Sequence, residues 1–434
     1  MKNTNKSEVS FLKYTTIIIL FFPQFQKWVG LAFEQLLTFS VTMLLFFYFL
    51  KVKNKFPYLA LYVSLIFLLL FSIDLLRSID FLVINDFFEF IKPFSFIFYF
   101  ILGYSILNDV SKGFRFFDWL MKILVIVSIL AIIEAKITSL GRIISILYKD
   151  GRYVLIGKAV FSFISPYSLA TVLIYPVFYY FISFFAEKKL GDFISFFICL
   201  YAMLLTQSKT VFLGFILTFI IMVVFVVFNN WLPGRKALLK FSLSFIFLVA
   251  ISLPFIIVMA KSKFSYLYSG LNVFFKSFSS LDIFKVLNAQ PSTKLRFEQL
   301  KFAIQSQDFI PLVGVAIGKK VLMPESFYAL YLYRTGLLGM AIHIFMVFFA
   351  AKRAFSAAKF YSEHNQNKNI FKRKPCFYYS SFFFFLSLIF SYFSAAVTDQ
   401  TRVAFIFYVL LGHLYSINKT NIGIKTNRYL RYKK

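Results

Sequence analysis

The tract Leu295-Arg-Phe-Glu-Gln-Leu-Lys-Phe302, followed by Pro311-Leu-Val-Gly314 and Pro324-Glu-Ser-Phe-Tyr-Ala-Leu-Tyr-Leu-Tyr-Arg-Thr-Gly-Leu-Leu-Gly339, is a polar, basic island in a chain otherwise close to continuous hydrocarbon. On both sides of it, apolar runs near the ~20 residues that cross a bilayer recur from end to end. They fall at Tyr14–Phe25, Val29–Leu50, Leu59–Leu76, Phe88–Leu107, Phe117–Ala135, Ala159–Phe185, Phe193–Thr206, Val211–Phe228, Phe241–Ala260, Phe327–Ala350, Phe377–Val397 and Val403–Ile417. Of 434 residues, 60% are hydrophobic and 22% aromatic, and the mean hydropathy is +0.77, which sets the chain apart from soluble mixtures. The runs lack the period-two alternation of a membrane β-barrel. The expected fold is all-α: a polytopic integral membrane protein of about twelve transmembrane helices. Nine of these are expected within residues 1–260, a large loop over 261–324, and three more with a basic tail over 325–434.

The first run is followed at once by a second and shows no small-residue cleavage site, so a retained helix is expected instead of a signal peptide. Cys199 and Cys376 both lie in apolar runs and read as small core residues, which leaves no disulfide framework and no thiolate metal site. The 65 phenylalanines read as compositional bias filling lipid-facing positions.

Orientation follows from the cations. With the N-terminus in the cytoplasm, one face collects Lys51, Lys53, Lys55, Lys112, Arg115, Lys188, Lys189, Arg235, Lys236 and Lys240. The same face collects Lys352, Arg353, Lys359, Lys368 and Lys372 to Lys374, and the tail from Lys419 to Lys434. Short basic loops on one side obey the positive-inside rule, so both termini are expected to be cytoplasmic. The net charge of +29 is then a topology signal together with attraction to anionic lipid, and nucleic-acid binding is not needed to explain it.

Two outer loops run against that bias. One spans 136–158 and carries Arg142, Lys149, Arg152 and Lys158. The other spans 261–324 and carries Lys263, Lys276, Lys285, Lys294, Arg296, Lys301, Lys319 and Lys320 against Asp282, Glu298 and Asp308. Cations on the outer face fit an anionic ligand; ordinary solvated loops are the plainer alternative. Helical spacing covers 282–286 and 294–305, with Leu295, Gln299, Phe302 and Ala303 on one face and Arg296, Lys301 and Gln305 elsewhere, as suits a short interfacial helix. Pro311 and Gly314 turn the chain, and Pro324 opens the tenth span with Glu325 in its first turn.

Taken in order, these segments resemble the bacterial O-antigen polymerase and O-antigen ligase superfamily. The matching positions are Arg296, Pro311-Leu-Val-Gly-Val-Ala316, Glu325-Ser326, Tyr328 to Tyr333 and Gly336-Leu-Leu-Gly339. Upstream, Leu205-Thr-Gln-Ser-Lys-Thr-Val-Phe-Leu-Gly214 resembles the family's Ser-Arg motif. Gly151-Arg152 through Phe163-Ile-Ser-Pro-Tyr-Ser-Leu-Ala170 resembles its Arg-x-x-Gly and Pro-Asn-x-x-Ala segment. Glu325 stands where ligases of the family have His, Lys209 stands where the family has Arg, and Ala316 replaces the second glycine of the turn. The resemblance therefore favours a polymerase of undecaprenyl-diphosphate-linked oligosaccharide repeat units. It implies a large periplasmic loop in a GT-C-like architecture, residence in a bacterial inner membrane and a possible chain-length regulator as partner. It also implies inversion at the anomeric centre. The product class is O-antigen or another surface polysaccharide such as capsule.

The chemistry required is transfer of a glycosyl group from a diphosphate to a hydroxyl. Negative charge grows on the leaving phosphate; fixed Arg and Lys side chains in a low-dielectric crevice do the work that a divalent metal does elsewhere, so no metal or other cofactor is expected. His343, His364 and His413 are scattered and read as lying toward the inner side. The catalytic candidates are Arg296 as diphosphate clamp and Glu325 as general base. Arg152, Lys209, Arg334, Lys294 and Arg402 are candidates for holding diphosphate or sugar. Plainer roles compete for each: a helix-dipole partner for Glu325, an anchor paired with Glu298 or lipid phosphate for Arg296, a snorkelling side chain for Lys209. Arg334 could pair with an internal carboxylate, and Asp399 with Arg402 could line the same cavity. A flippase for the same lipid-linked oligosaccharide is the second functional class, and a structural partner in an export assembly the third.

Overall fold

The protein is represented by a computed structural model that describes residues 4–23, 84–148, 157–228, 291–306, 312–315, 325–364 and 373–417, with isolated positions between 40 and 76 and between 236 and 272. The expected spans at 29–50, 59–76 and 241–260 lie wholly or mostly outside the described residues. So do Arg152, residues 282–286, Pro311 and Pro324. The continuous helices are α1 (Thr4–Phe21), α2 (Ile84–Ile106), α3 (Val110–Lys136), α4 (Thr138–Tyr148), α5 (Pro166–Glu187), α6 (Leu190–Leu205), α7 (Lys209–Phe228), α8 (Pro291–Gln305), α9 (Phe327–His364), α10 (Arg373–Ser391) and α11 (Thr401–Ser416). A 3-10 turn, Val397–Asp399, precedes the last. No strand occurs among the described residues. Among the described residues, the helices long and apolar enough to cross a membrane are α3, α5, α7 and α9, and the architecture is that of an all-helical membrane protein.

Local chemistry sets the boundaries. Asp109 caps α3 by accepting from the Ser111 amide at 3.1 Å. Ser165 caps α5 and Pro166 occupies its first turn, where the missing N–H is harmless. The helix therefore starts seven residues later than the apolar run at Ala159, and residues 159–165 form a turn-rich loop. Likewise α10 ends at Ser391, short of the expected Val397. Within the segment expected to be loop, Thr138–Tyr148 is helical, lies against the end of α3 and reaches α1 through the Tyr148 hydroxyl, which donates to the Phe21 carbonyl at 2.6 Å.

Packing fixes the direction of each helix. α2 and α11 run parallel, with Tyr99 against Phe405, the Gly103 backbone against Val409, and the Leu107 carbonyl accepting from His413 Nδ1 at 2.7 Å. A Cβ on Gly103 would stand 2.0 Å from the Val409 carbonyl oxygen, and one on Gly412 2.1 Å from that of Phe100. Only glycine permits this approach, the small-residue contact typical of membrane helices. α10 runs antiparallel to α5, with Tyr175 bonded to Ser381 at 2.7 Å, and antiparallel to the last turns of α9, with Tyr361 stacked on Tyr378. The core is aromatic: Tyr175, Tyr179, Tyr378, Tyr392, Phe116, Phe117, Phe178 and Phe377 are fully buried. Among the described residues many phenylalanines are therefore packing residues and not lipid-facing filler, with rings set edge-to-face between helices, as in Phe114–Phe377, Phe181–Phe219 and Phe225–Phe383.

Two chemically different ends result. At one, α3, α6 and α10 begin and α2, α5, α9 and α11 finish. There Arg373 bonds Glu187 at 2.7 Å, Asp192 at 2.7 Å and Asp118 at 3.4 Å, while Lys122 and Lys189 add a second cation to Asp118 and Glu187. Lys112, Arg115, Lys352, Arg353 and Lys374 gather at this basic end, in keeping with their expected common face. At the opposite end α1, α3, α6 and α10 finish and α2, α5, α7 and α11 begin. That end carries the polar tract.

Candidate functional site

The tract is organised by a break in α9. Gly336 has φ +64° and ψ −168°, a conformation open essentially to glycine alone. The chain reverses there. Phe327 lies with its ring 4.6 Å from that of His343, although a continuous helix would hold the two about 24 Å apart. The expected single span over 327–350 is therefore a hairpin: a short limb over 327–335 folded against the start of a long limb over 337–364. The backbone groups released by the break are taken up by the turn at 312–315. Leu338 N donates to the Leu312 carbonyl at 3.2 Å, and Val315 N to the Tyr333 carbonyl at 2.7 Å. Gly314, at φ +84°, fits where a Cβ would stand 2.3 Å from the Arg334 carbonyl oxygen.

Helix α8 packs along the short limb. Ala303, Ala329, Leu332 and Tyr333 are buried together beneath Leu300, Phe302 and Val315, with Phe302 stacked on Tyr333. The inward face is Arg296, Gln299, Leu300 and Ala303, at i, i+3, i+4 and i+7, whereas Leu295 is exposed. The expected faces are corrected on this point: Arg296 belongs to the inward side and Leu295 does not. The apolar stripe alone could not reveal this, because what Arg296 turns toward is a carboxylate supplied from another segment.

That carboxylate is Glu325. Arg296 Nη2 forms an ion pair with Glu325, and Arg296 Nη1 donates to Gln299 Oε1 at 3.0 Å. The Glu325 amide donates to the same Gln299 oxygen at 3.1 Å, and the Glu325 carbonyl accepts from the Ala396 amide at 2.8 Å. Glu325 lies before the helix and not in its first turn. Ser326 is the cap, its Oγ accepting from Ala329 N at 3.3 Å. The result is a carboxylate whose backbone is pinned from both sides while its side chain stays 61% exposed, beside an arginine only 16% exposed.

The other candidate cations among the described residues have different neighbours. Arg334 is buried 3.8 Å from Asp399, which also accepts from the Tyr331 hydroxyl at 2.8 Å. Arg402 donates to the Ile19 and Phe22 carbonyls at 2.8 and 2.7 Å and lies over the Tyr148 ring, so it ties down the end of α1. Asp399 and Arg402 thus face different neighbours. Lys209 opens α7 within electrostatic range of Lys158, where the 159–163 loop meets the preceding turn through Ala159 N and the Leu205 carbonyl. Lys294 forms an exposed pair with Glu298 at 3.9 Å. His343 sits in this half of the molecule and not at the basic end with which it was expected to lie; it is bonded to the Tyr392 hydroxyl at 2.8 Å, stacked on Phe407 and tilted against Phe327, and the reversal at Gly336 puts it there.

Several polar residues of this end carried no assigned role in the sequence. Gln299 links Arg296 to Glu325. Ser165, Ser168 and Gln400 form a hydrogen-bonded cluster between the starts of α5 and α11. Glu134 accepts from the Val160 and Phe161 amides at 3.0 and 2.5 Å and shapes the loop before α5. A polar side chain three positions after an arginine, on a face otherwise apolar, was the one available signal for Gln299. Chemically, this end offers an exposed carboxylate, cations and several helix N-termini whose dipoles favour anions. No family model matches the chain, nor does any curated protein or solved structure.

Proposed function

We propose that the chain is a membrane glycosyltransferase that joins undecaprenyl-diphosphate-linked oligosaccharide units into a surface polysaccharide at the outer face of a bacterial inner membrane. The observation that carries this reading is the Arg296–Glu325 constellation, an exposed carboxylate held beside a sequestered guanidinium at the end of the bundle opposite the basic one. By the positive-inside rule the Arg373 end is cytoplasmic, which makes the site end periplasmic. Helix directions support twelve spans with both termini inside. α1 finishes and α2 begins at the site end, which requires an even number of crossings between them; α7 finishes at the basic end and α9 begins at the other, which requires an odd number. The apolar runs at 29–50 and 59–76, and the single run at 241–260, supply these parities.

In this reading the acceptor hydroxyl oxygen attacks the anomeric carbon from the face opposite the diphosphate. The carbon–oxygen bond to phosphate breaks, the diphosphate departs on its lipid, and the hydroxyl proton passes to the Glu325 carboxylate. Arg296, with Lys209 and Arg152 as further cations, stabilises charge growing on the leaving oxygen, and fixed donors in a partly desolvated site do this without reorganisation. Inversion follows from single displacement. Arg334 and Arg402 shape the surrounding wall through Asp399 and α1.

The test is substitution of Arg296 and, separately, Glu325 by Ala in the native strain, followed by electrophoresis of surface polysaccharide. Loss of long chains with single repeat units still reaching the surface is the expected result. Absence of any repeat unit at the surface would assign the chain to lipid-linked oligosaccharide flipping. Normal chain lengths in both variants would remove these residues from the reaction.

A further inference from the structure

We infer that Gln299 is a positioning residue for this reaction: its side-chain oxygen is the part that keeps Arg296 and Glu325 in one geometry, and the inference rests on the polymerase reading above. Arg296 lies on α8 and Glu325 just before the short limb of α9, so no single element holds both. Gln299 Oε1 bridges the gap, accepting from Arg296 Nη1 at 3.0 Å and from the Glu325 backbone amide at 3.1 Å. Together with the Arg296–Glu325 ion pair this closes a ring of three contacts. The side chain is 3% exposed. Both neighbours are donors, so the atom facing them is the oxygen; an amide nitrogen there would oppose two N–H groups. A reaction that needs a base and an anion clamp at a fixed separation is sensitive to small misplacements, and here one acceptor sets that separation.

The chemistry of the acceptor, not the bulk of the side chain, makes the claim testable. Gln299→Leu keeps similar volume and removes the acceptor. Gln299→Glu keeps an oxygen at the same place and adds a negative charge close to Glu325. Membranes from the native strain carrying each variant, supplied with that strain's own lipid extract, are assayed for chain elongation across pH 4.5–8. Q299L is expected to lower elongation at least tenfold while the purified protein keeps wild-type melting within a few degrees. Q299E is expected to stay within about threefold of wild type, with the acidic limb of its pH profile moved upward, because a like charge opposes ionisation of the base. A merely structural glutamine would lose melting temperature together with elongation in Q299L, whereas a positioning one loses elongation alone. Wild-type elongation in Q299L overturns the inference, as does equal loss in both variants. Should Q299L not accumulate, Q299E decides alone, and lost turnover or an unmoved limb overturns it. R296A and E325A run alongside separate the two levels. If they keep long chains, the polymerase reading of this site falls; if they lose them and Q299L does not, only the role of Gln299 falls.

Discussion

The two ends of the bundle handle charge in opposite ways. At the basic end one guanidinium, Arg373, serves three carboxylates from three helices, with Lys122 and Lys189 adding a second cation to two of them, so each of these acids is matched. At the site end the arginines are dispersed: Arg402 onto the carbonyls of α1, Arg334 onto Asp399, Arg296 onto Gln299 and Glu325. A mutually satisfied network holds helices in register and offers little to a ligand. A dispersed set fixes several chain segments and leaves the Glu325 carboxylate open to solvent. The difference predicts that stability resides in the first end and chemistry in the second.

The sharpest break of that contrast is Arg373→Met. Removing the shared cation leaves Asp118, Glu187 and Asp192 facing one another in a partly buried place, and losing one partner of such a group costs about 3 kcal/mol or more. Thermal unfolding of the purified protein should show a large drop in melting temperature and reduced accumulation in membranes. Elongation per folded molecule should change much less than in the Arg296 or Glu325 variants. An R373M protein as stable as wild type but inactive would reverse the assignment of the two ends.

Gly336→Ala comes next. Its φ of +64° and ψ of −168° lie where side chains are strained, and the added Cβ would stand 2.4 Å from Leu312 and 2.6 Å from the Gly314 amide. The expected penalty is about 2–3 kcal/mol, confined to the hairpin and the 312–315 turn. Hydrogen exchange should then rise over residues 325–340 and stay unchanged around Arg373, with elongation falling because Glu325 is no longer pinned. Exchange that rises equally at both ends would mean the hairpin is part of the bundle core.

These contrasts also show what the sequence could convey. Apolar runs and positive-inside bias made the helical class, most helix positions and the common face of Lys112, Lys188, Lys352 and Arg373 legible, because burial in lipid and charge asymmetry act on each segment separately. The amphipathic stretch over 294–305 and the pairing option for Arg334 were legible for the same reason. Reversal at Gly336 was not: its apolar surroundings satisfy the length rule for one straight span, and only the 312–315 backbone, remote in sequence, accommodates the break. The inward turn of Arg296 was hidden because charge ordinarily marks the solvent face. Convergence of Asp118, Glu187 and Asp192 on Arg373 was equally hidden, since acids on three separate helices reveal nothing of a shared partner until the helices pack.

The smallest effect is expected at Lys294, and it sharpens the comparison within α8 itself. Lys294 and Arg296 are near neighbours, yet Arg296 faces the short limb while Lys294 faces outward, paired with Glu298 at 3.9 Å with both side chains more than half exposed. Pairs of that kind contribute within about 0.5 kcal/mol, since water screens them and both chains lose freedom in forming the contact. Lys294→Ala should therefore leave melting and polysaccharide length close to wild type, measured on the same gels that report the Arg296 variants. Its residual influence would be electrostatic, a modest loss of elongation at low ionic strength that salt abolishes, because an outward lysine can draw an anionic substrate toward the loop without touching it. If Lys294→Ala instead shortened chains as strongly as Arg296→Ala, at high salt as well as low, the working surface would be the outer face of α8, and the inward ring around Gln299 would be a hinge for the loop and not the seat of the chemistry.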